Sequence, residues 1–237
     1  MPQKTVLILA NSVRHSPNAC VAGREVQQGG GQRGYVGWVR PISNHGDGEL
    51  GPAERRLTAG REVQVLDIVR IPVAAHVPNS IQPENWRIDG TGNWIFVERA
   101  TIDDLRRAAE CPPNLWDDPQ DQRGSILAAR APAALSQQSL YLIGVPRVVI
   151  RLSSENYPER TRKHRRAIFE YNGTYYDLGI TDPTIETRYG IRVPTPSEAA
   201  VEKRIDHECF LCLSVTFTEF KGRHYKLVAA IIDPALI

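Results

Sequence analysis

Ala167-Ile-Phe-Glu-Tyr171, Asn172-Gly173 and Thr174-Tyr-Tyr-Asp-Leu178 form the most strongly patterned stretch of this chain. Apolar and polar residues alternate on either side of Asn-Gly, the pair that most readily supplies two successive positive φ angles. The pattern predicts a β-hairpin closed by a type I′ turn. Immediately upstream stands Arg160-Thr-Arg-Lys-His-Arg-Arg166, five permanent cations and a histidine within seven residues. The expectation is a cationic segment held at the edge of a rigid sheet. Clustered Lys and Arg neutralise phosphates and release condensed counterions, so such an edge suits a polyanion. The competing reading is a solvated charged loop. Arg147 and Arg151 upstream, with Tyr171, Tyr175 and Tyr176 downstream, favour the first.

The rest of the chain is also β-rich. Thr5 to Ala10 reads as a buried first strand and Cys20-Val-Ala-Gly-Arg-Glu-Val26 as a second, with Arg14, His15 and Pro17 in the loop between. A turn at Gly29-Gly30-Gly31 leads into Gly34 to Ser43, where period-2 alternation puts Tyr35, Gly37, Val39 and Pro41 on one side and Val36, Trp38, Arg40 and Ile42 on the other. Arg61 to Val73 is a longer strand candidate and Trp94 to Val97 a shorter one. Thr101-Ile-Asp-Asp-Leu-Arg-Arg-Ala-Ala-Glu110 has a capping residue, acids in its first turn and helical apolar spacing, and predicts a helix ending at Cys111-Pro112-Pro113. Asn114 to Pro132 is acidic and irregular and reads as a connector or lid. Leu140 to Leu152 predicts a long strand interrupted near Pro146. Pro194 to Arg204 predicts a short helix opening at Thr195-Pro-Ser-Glu, and Cys209–Phe217 with Tyr225–Ile232 a hairpin turning at Lys221-Gly222.

The fold expected is therefore mainly β: two units at 1–98 and 138–237 with the short strand spacing of small barrels or sandwiches, joined by a helical and irregular connector at 99–137. The 237 residues suffice for such cores, and the net charge of +2 makes any basic surface local, balanced by acids such as Asp103-Asp104 and Asp117-Asp118. No apolar run approaches the ~20 residues that span a bilayer and no signal-peptide pattern opens the chain, so a cytoplasmic protein without a membrane partner is expected.

The candidate chemical groups divide as follows. Cys209-Phe-Leu-Cys212 has the spacing of half a zinc site, but β-prone neighbours would turn the two thiols to opposite faces of a strand, and buried structural cysteine is favoured. Cys20 beside Arg14 and His15 lacks an evident orienting acid or oxyanion hole, so a nucleophilic role is the lesser reading. Thr181-Asp182-Pro183 reads as a turn before it reads as a general base. There is no P-loop, no dinucleotide fingerprint, no His-Glu-x-x-His and no Gly-x-Ser-x-Gly. No catalytic residue, metal or cofactor is assigned.

Several segments together resemble the bacterial dual OB-containing domain family: Leu7-Ile-Leu-Ala-Asn-Ser12 with Cys20-Val-Ala-Gly23, Gly37-Trp-Val-Arg-Pro-Ile-Ser43, Gln82-Pro-Glu-Asn-Trp86, Tyr176-Asp-Leu-Gly-Ile-Thr-Asp-Pro183 and Tyr225-Lys-Leu-Val-Ala-Ala-Ile-Ile232. The resemblance runs from first strand to last. It implies two OB-like barrels and recognition of nucleic acid, in a prokaryotic conflict or anti-phage setting. Where family members carry a Glu-Pro-Phe-like stretch before the last strand, this chain has Phe217-Thr-Glu-Phe220.

The function expected is binding of single-stranded or distorted nucleic acid in a groove lined by Arg14, Trp38, Arg40, Trp86, Arg160, Arg162, Lys163, Arg165, Arg166 and Tyr176, with cations on the backbone and aromatics on the bases. The alternatives are an adaptor whose basic face docks an acidic partner protein, such as a nuclease or helicase encoded nearby, and a hydrolase acting on nucleotides through Cys20 with His15 or through Asp182.

Overall fold

The computed structural model describes residues 2–13, 17–29, 32–45, 48–90, 92–117 and 123–237. Six strands form the first sheet: β1 (Gln3–Ser12), β2 (Cys20–Gly29), β3 (Gln32–Ile42), β4 (Asp67–His76), β5 (Asn85–Ile88) and β6 (Ile95–Arg99). Their order is β1-β2-β3-β5-β4 with β4 returning to β1, so five strands close a barrel and β6 adds outside it on β4. All barrel pairings are antiparallel except β3 with β5, in which Arg40 pairs with Asn85. A five-stranded closed Greek-key barrel of this order is the OB architecture.

The second sheet follows α1 (Ile102–Ala108), β7 (Ser125–Leu127) and α2 (Ala131–Ala134). It contains β8 (Leu140–Val145), β9 (Val148–Tyr157), β10 (Arg160–Tyr171), β11 (Thr174–Ile180), then after α3 (Ile185–Tyr189) the strands β12 (Val201–Ile205), β13 (Cys209–Val215) and β14 (Arg223–Ile232). Its path is β9-β10-β11-β14-β13-β8, with β12 added to β9 and β7 to β14. β8 and β9 are two arms of one strand, broken at Pro146, which has no N–H to give a ladder. One arm pairs with β13 and the other with β10, so the bent strand brings the sheet back on itself. β11 and β14 are parallel, Gly179 opposite Leu227, as β3 and β5 are in the first barrel. The two halves thus repeat one topology.

The predicted I′ turn is present, with φ of 48° at Asn172 and 73° at Gly173. The Lys221-Gly222 turn likewise has φ of 54° and 74°. Other expectations are corrected. The basic run does not precede the hairpin strand but belongs to it, because Arg160–Arg166 pairs along β9 from Tyr157 to Arg151. Arg61 to Leu66 lies outside β4, because Leu66 takes φ 76°, with its N–H given to the Ile8 carbonyl and its own carbonyl receiving Ala100 N–H. Pro194–Arg204 is not a helix. The Thr195–Glu198 capping contact forms, with Thr195 N–H to Glu198 Oε2 at 2.7 Å, yet the segment offers no apolar stripe to bury, and Val201–Ile205 extends the sheet beside β9 instead. In β3, Gly37 at φ 21° accompanies a bulge opposite Arg24/Glu25, so Tyr35 and Trp38, three residues apart, share the outward face.

Three apolar cores hold the chain together. Val6, Ile8, Val39, Val69, Ile71 and Trp94 fill the first barrel. Ile150, Phe169, Tyr176, Leu211 and Ile231 fill the second, joined by Leu115, Trp116 and Ile126 from the segment after α1. A third lies between the barrels, where Leu7, Leu9 and Trp38 meet Leu105 of α1 and Leu142, Phe210, Cys212 and Ile232. β1 and β13 are therefore buried on both faces, which is why each reads as a continuous apolar run. Cys209 and Cys212 point into different cores, as their β-prone neighbours predict. Among the described residues no helix is long and apolar enough to cross a membrane.

Candidate nucleic-acid interface

An OB barrel receives ligands on the outer face of its second and third strands, between the loops joining strands 1–2 and 4–5. In the first barrel that face is covered. α1 is set on it by a Thr101 capping box and by Asp104, which accepts from Tyr35 Oη at 2.7 Å, Arg33 at 3.2 Å and Arg107 at 2.7 Å. Burial alone would raise the Asp104 pKa, but hydrogen bonds from Thr101, Tyr35 and Arg107 outweigh it and hold this carboxyl well below the usual carboxylate range. Arg24 on β2 reaches Glu110 at 3.1 Å, and Trp38 gives its indole N–H to the same carboxylate at 3.0 Å.

In the second barrel no described element is laid over the corresponding face. Its strands are β10 and β11, and outward positions such as Arg166, Tyr175 and Asp177 are half-buried or exposed. The loop between its first and second strands is a two-stranded ribbon. β12 pairs with β9 only as far as Leu152, and β11 pairs with β10 only from Arg166 onward, so among the described residues Ser153–Tyr157 and Arg160–Arg165 have only each other for ladder partners. Five residues at ~3.3 Å carry it roughly 17 Å from the barrel. The loop between strands 4 and 5 runs from β13 to β14 and presents Phe217 and Phe220, 47% and 59% exposed. Lys221 Nζ lies 5.5 Å from the Phe220 ring.

The basic run separates into two classes. Arg165 pairs with Glu186 on α3 and Arg166 with Asp177 on β11, the latter at 2.8 Å. Among the described residues no carboxylate pairs with Arg160, Arg162 or Lys163, all exposed; Arg162 lies 4.8 Å from the Tyr157 ring centroid. Three cations are therefore available to a ligand.

Other expected site residues lie elsewhere. Trp38 and Arg40 are buried at 6% exposure, Trp38 in the inter-barrel core and Arg40 on Glu84 at 2.9 Å. Tyr176 is inside the second barrel, stacked on Phe169 and bonded through its hydroxyl to Asp117; burial and that bond push its pKa upward. These three are removed from the groove, because each spends its polar group inside the protein. Trp86 is partly buried on β5, with the His76 ring stacked at 4.6 Å and Lys4 Nζ 3.9 Å from its centroid. Arg14 and His15 lie outside the described residues. Asp182 is buried and accepts from Thr184 N–H at 2.9 Å and Arg188 at 3.1 Å, the turn expected of Asp-Pro. Cys209 is buried, which pushes its thiol up to about 12. No cluster of three metal-ligating side chains occurs among the described residues. Phe217 and Phe220 stand in the stretch where this chain departs from the family it resembles; counting strands to the loop before the last one would have marked them as site residues.

Where the barrels meet, a cavity of about 950 Å³ opens beside this face. The first barrel contributes residues such as Ser12, Asn79, Gln82 and Arg87, and the second Thr181, Ser214 and the Thr216–Phe220 loop.

The model of the family described as the dual OB-containing domain matches residues 4–231, and the chain belongs to that family. No curated protein and no solved structure matches it.

Proposed function

We propose that this dual OB-containing domain protein binds single-stranded nucleic acid on the outer face of β10 and β11 in its second barrel, the first barrel and α1 serving as its support. One observation carries the reading: an OB face over which no described element lies is flanked on one side by a projecting ribbon with three exposed cations in no close ion pair among the described residues, and on the other by a loop with two exposed phenylalanines. Cations that follow the backbone and aromatic faces that take bases are the two elements of sequence-tolerant single-strand binding. The cations alone would serve an acidic protein surface equally; the exposed rings beside them favour a ligand with planar faces.

The test is fluorescence anisotropy of a labelled 20-nucleotide single strand and of the matching duplex across a salt series. Salt-sensitive binding that favours the single strand and weakens in Arg160→Ala/Arg162→Ala/Lys163→Ala supports the reading. Binding that ignores both salt and this variant would sink it.

A further inference from the structure

The inter-barrel cavity is lined in a way the strand-binding face does not explain. The 4–5 loops of both barrels converge on it: residues 77–84 of the first and the Thr216–Phe220 loop of the second. Its volume of about 950 Å³ is at the upper end of what suits one small organic ligand.

The lining chemistry narrows the ligand. Among the described lining residues there are two cations: Arg40 is already neutralised by Glu84, and Arg87 has no carboxylate partner among the described residues. Glu49 and Glu219 also line it. Hydroxyls and side-chain amides supply the neutral polar lining, and the amides stand together on the first barrel's side. Asn79 spends its oxygen on the N–H groups of Ile81 and Gln82 at 2.9 and 2.8 Å, which leaves its amide N–H pair directed to no protein acceptor among the described residues. Gln82 spends its oxygen on Asn85 Nδ2 at 3.3 Å, with the same result for its own N–H pair. Asn85, 4% exposed, has an Oδ1 without a hydrogen-bond partner. A buried amide oxygen left unsatisfied costs free energy that a ligand donor would recover.

Unspent amide donors beside an unspent amide acceptor match the edge of a nucleobase, which presents both on one plane. Phe217 and Phe220 form part of the wall and are exposed aromatic rings of the kind on which such a plane stacks, with Lys221 Nζ and the Tyr225 ring already beside Phe220. The cavity is continuous with the proposed strand path, since Leu227 in its wall pairs with Gly179, which in turn pairs with Arg166 on β10.

We infer that this cavity receives one unpaired nucleobase of the bound strand, its edge read by Gln82 and Asn85. The inference rests on the reading of the β10–β11 face as a single-strand site, and the experiment separates the two.

Free adenosine, guanosine, cytidine and uridine, with ribose as the control lacking a base, are titrated into the full chain and followed by saturation-transfer NMR. The labelled strand is measured in parallel. The expected result is that at least one nucleoside binds and ribose does not. Its affinity falls about tenfold in Gln82→Ala/Asn85→Leu, the loss of buried hydrogen bonds. Gln82→Trp, which fills the cavity from a loop and keeps Asn85, abolishes nucleoside binding, and the ribbon variant leaves it unchanged. Strand binding without any nucleoside binding overturns the inference and leaves the strand site standing. Nucleoside binding that survives Gln82→Trp, or ribose binding as tight as the nucleoside, also overturns it. Loss of both activities in the wild-type protein removes the inference together with the strand reading.

Discussion

Arg40 and Glu84 form a buried ion pair at the junction of the two barrels. Glu84 Oε1 accepts from Arg40 Nε at 3.2 Å and Nη2 at 2.9 Å, and Ser139, at the entry to β8, gives both its hydroxyl and its N–H to the same carboxylate. The pair thus ties β3 and the loop before β5 to the start of the second sheet. Removing one partner strands a buried charge, a loss of about 3–5 kcal/mol. Arg40→Ala is therefore expected to lower stability by about that much in urea unfolding, whereas Arg40→Met with Glu84→Gln recovers a large part of it. Equal stability of Arg40→Ala and wild type would show that the pair does not hold the junction.

Arg160, Arg162 and Lys163 form no close ion pair among the described residues, Lys163 acting on Glu186 only at longer range, so their removal acts mainly on binding and not on folding. For a single strand each phosphate contact contributes about 0.7 to the slope of log affinity against log salt. The triple alanine variant is expected to reduce that slope by about 2 with an unchanged melting temperature. Arg165→Ala, by contrast, releases Glu186 and is expected to lower the melting temperature first. A triple variant with wild-type slope would place the phosphates elsewhere.

Phe217 and Phe220 project from a turn and bury little on folding. Base stacking by alanine substitution is worth about 1–3 kcal/mol per base, so each Phe→Ala change is expected to weaken single-strand binding about 5- to 150-fold. Trp38→Ala is the internal contrast: it empties part of the inter-barrel core, costs about 3–5 kcal/mol of stability and leaves the affinity of the folded protein unaltered. Anisotropy titrations with chemical unfolding on the same samples separate the two classes.

The seating of α1 should depend on pH at both extremes. Asp104 is held below its unfolded value, so its stabilising contribution is complete above the ordinary Asp range near pH 4 and is lost as pH falls below it. Tyr35 is shifted the other way, raised by burial and by its bond to Asp104. Its contribution is complete below about pH 10, where an unfolded tyrosine begins to ionise, and falls above that pH. Asp104→Asn should flatten the acid limb of a stability–pH curve and lower the plateau by about 1–3 kcal/mol. An acid limb identical in the variant would mean that other carboxylates govern it.

The hairpin at Asn172-Gly173, the Lys221-Gly222 turn, the Thr101 cap and the bend at Pro146 were all legible in the chain, because each depends on backbone preferences or on a periodicity spanning a few residues. The same short-range logic fails at Pro194–Arg204, where a correct capping signal lacks an apolar face and the open side of β9 takes the segment. It also fails at Trp38 and Tyr176, whose amphipathic rings suit a stacking platform or a core equally until their neighbours are known.

By itself, then, the sequence determined the β-rich class, most of the strands and their tight turns, with a cationic element in the second half. Only the tertiary structure decided which cations remain open and which OB face is available. Those properties depend on partners distant in the chain: Glu186 for Arg165, Asp177 for Arg166, and α1 laid over β2 and β3. Neutralisation and burial are properties of what is brought within a few ångströms in space, and no local pattern encodes them.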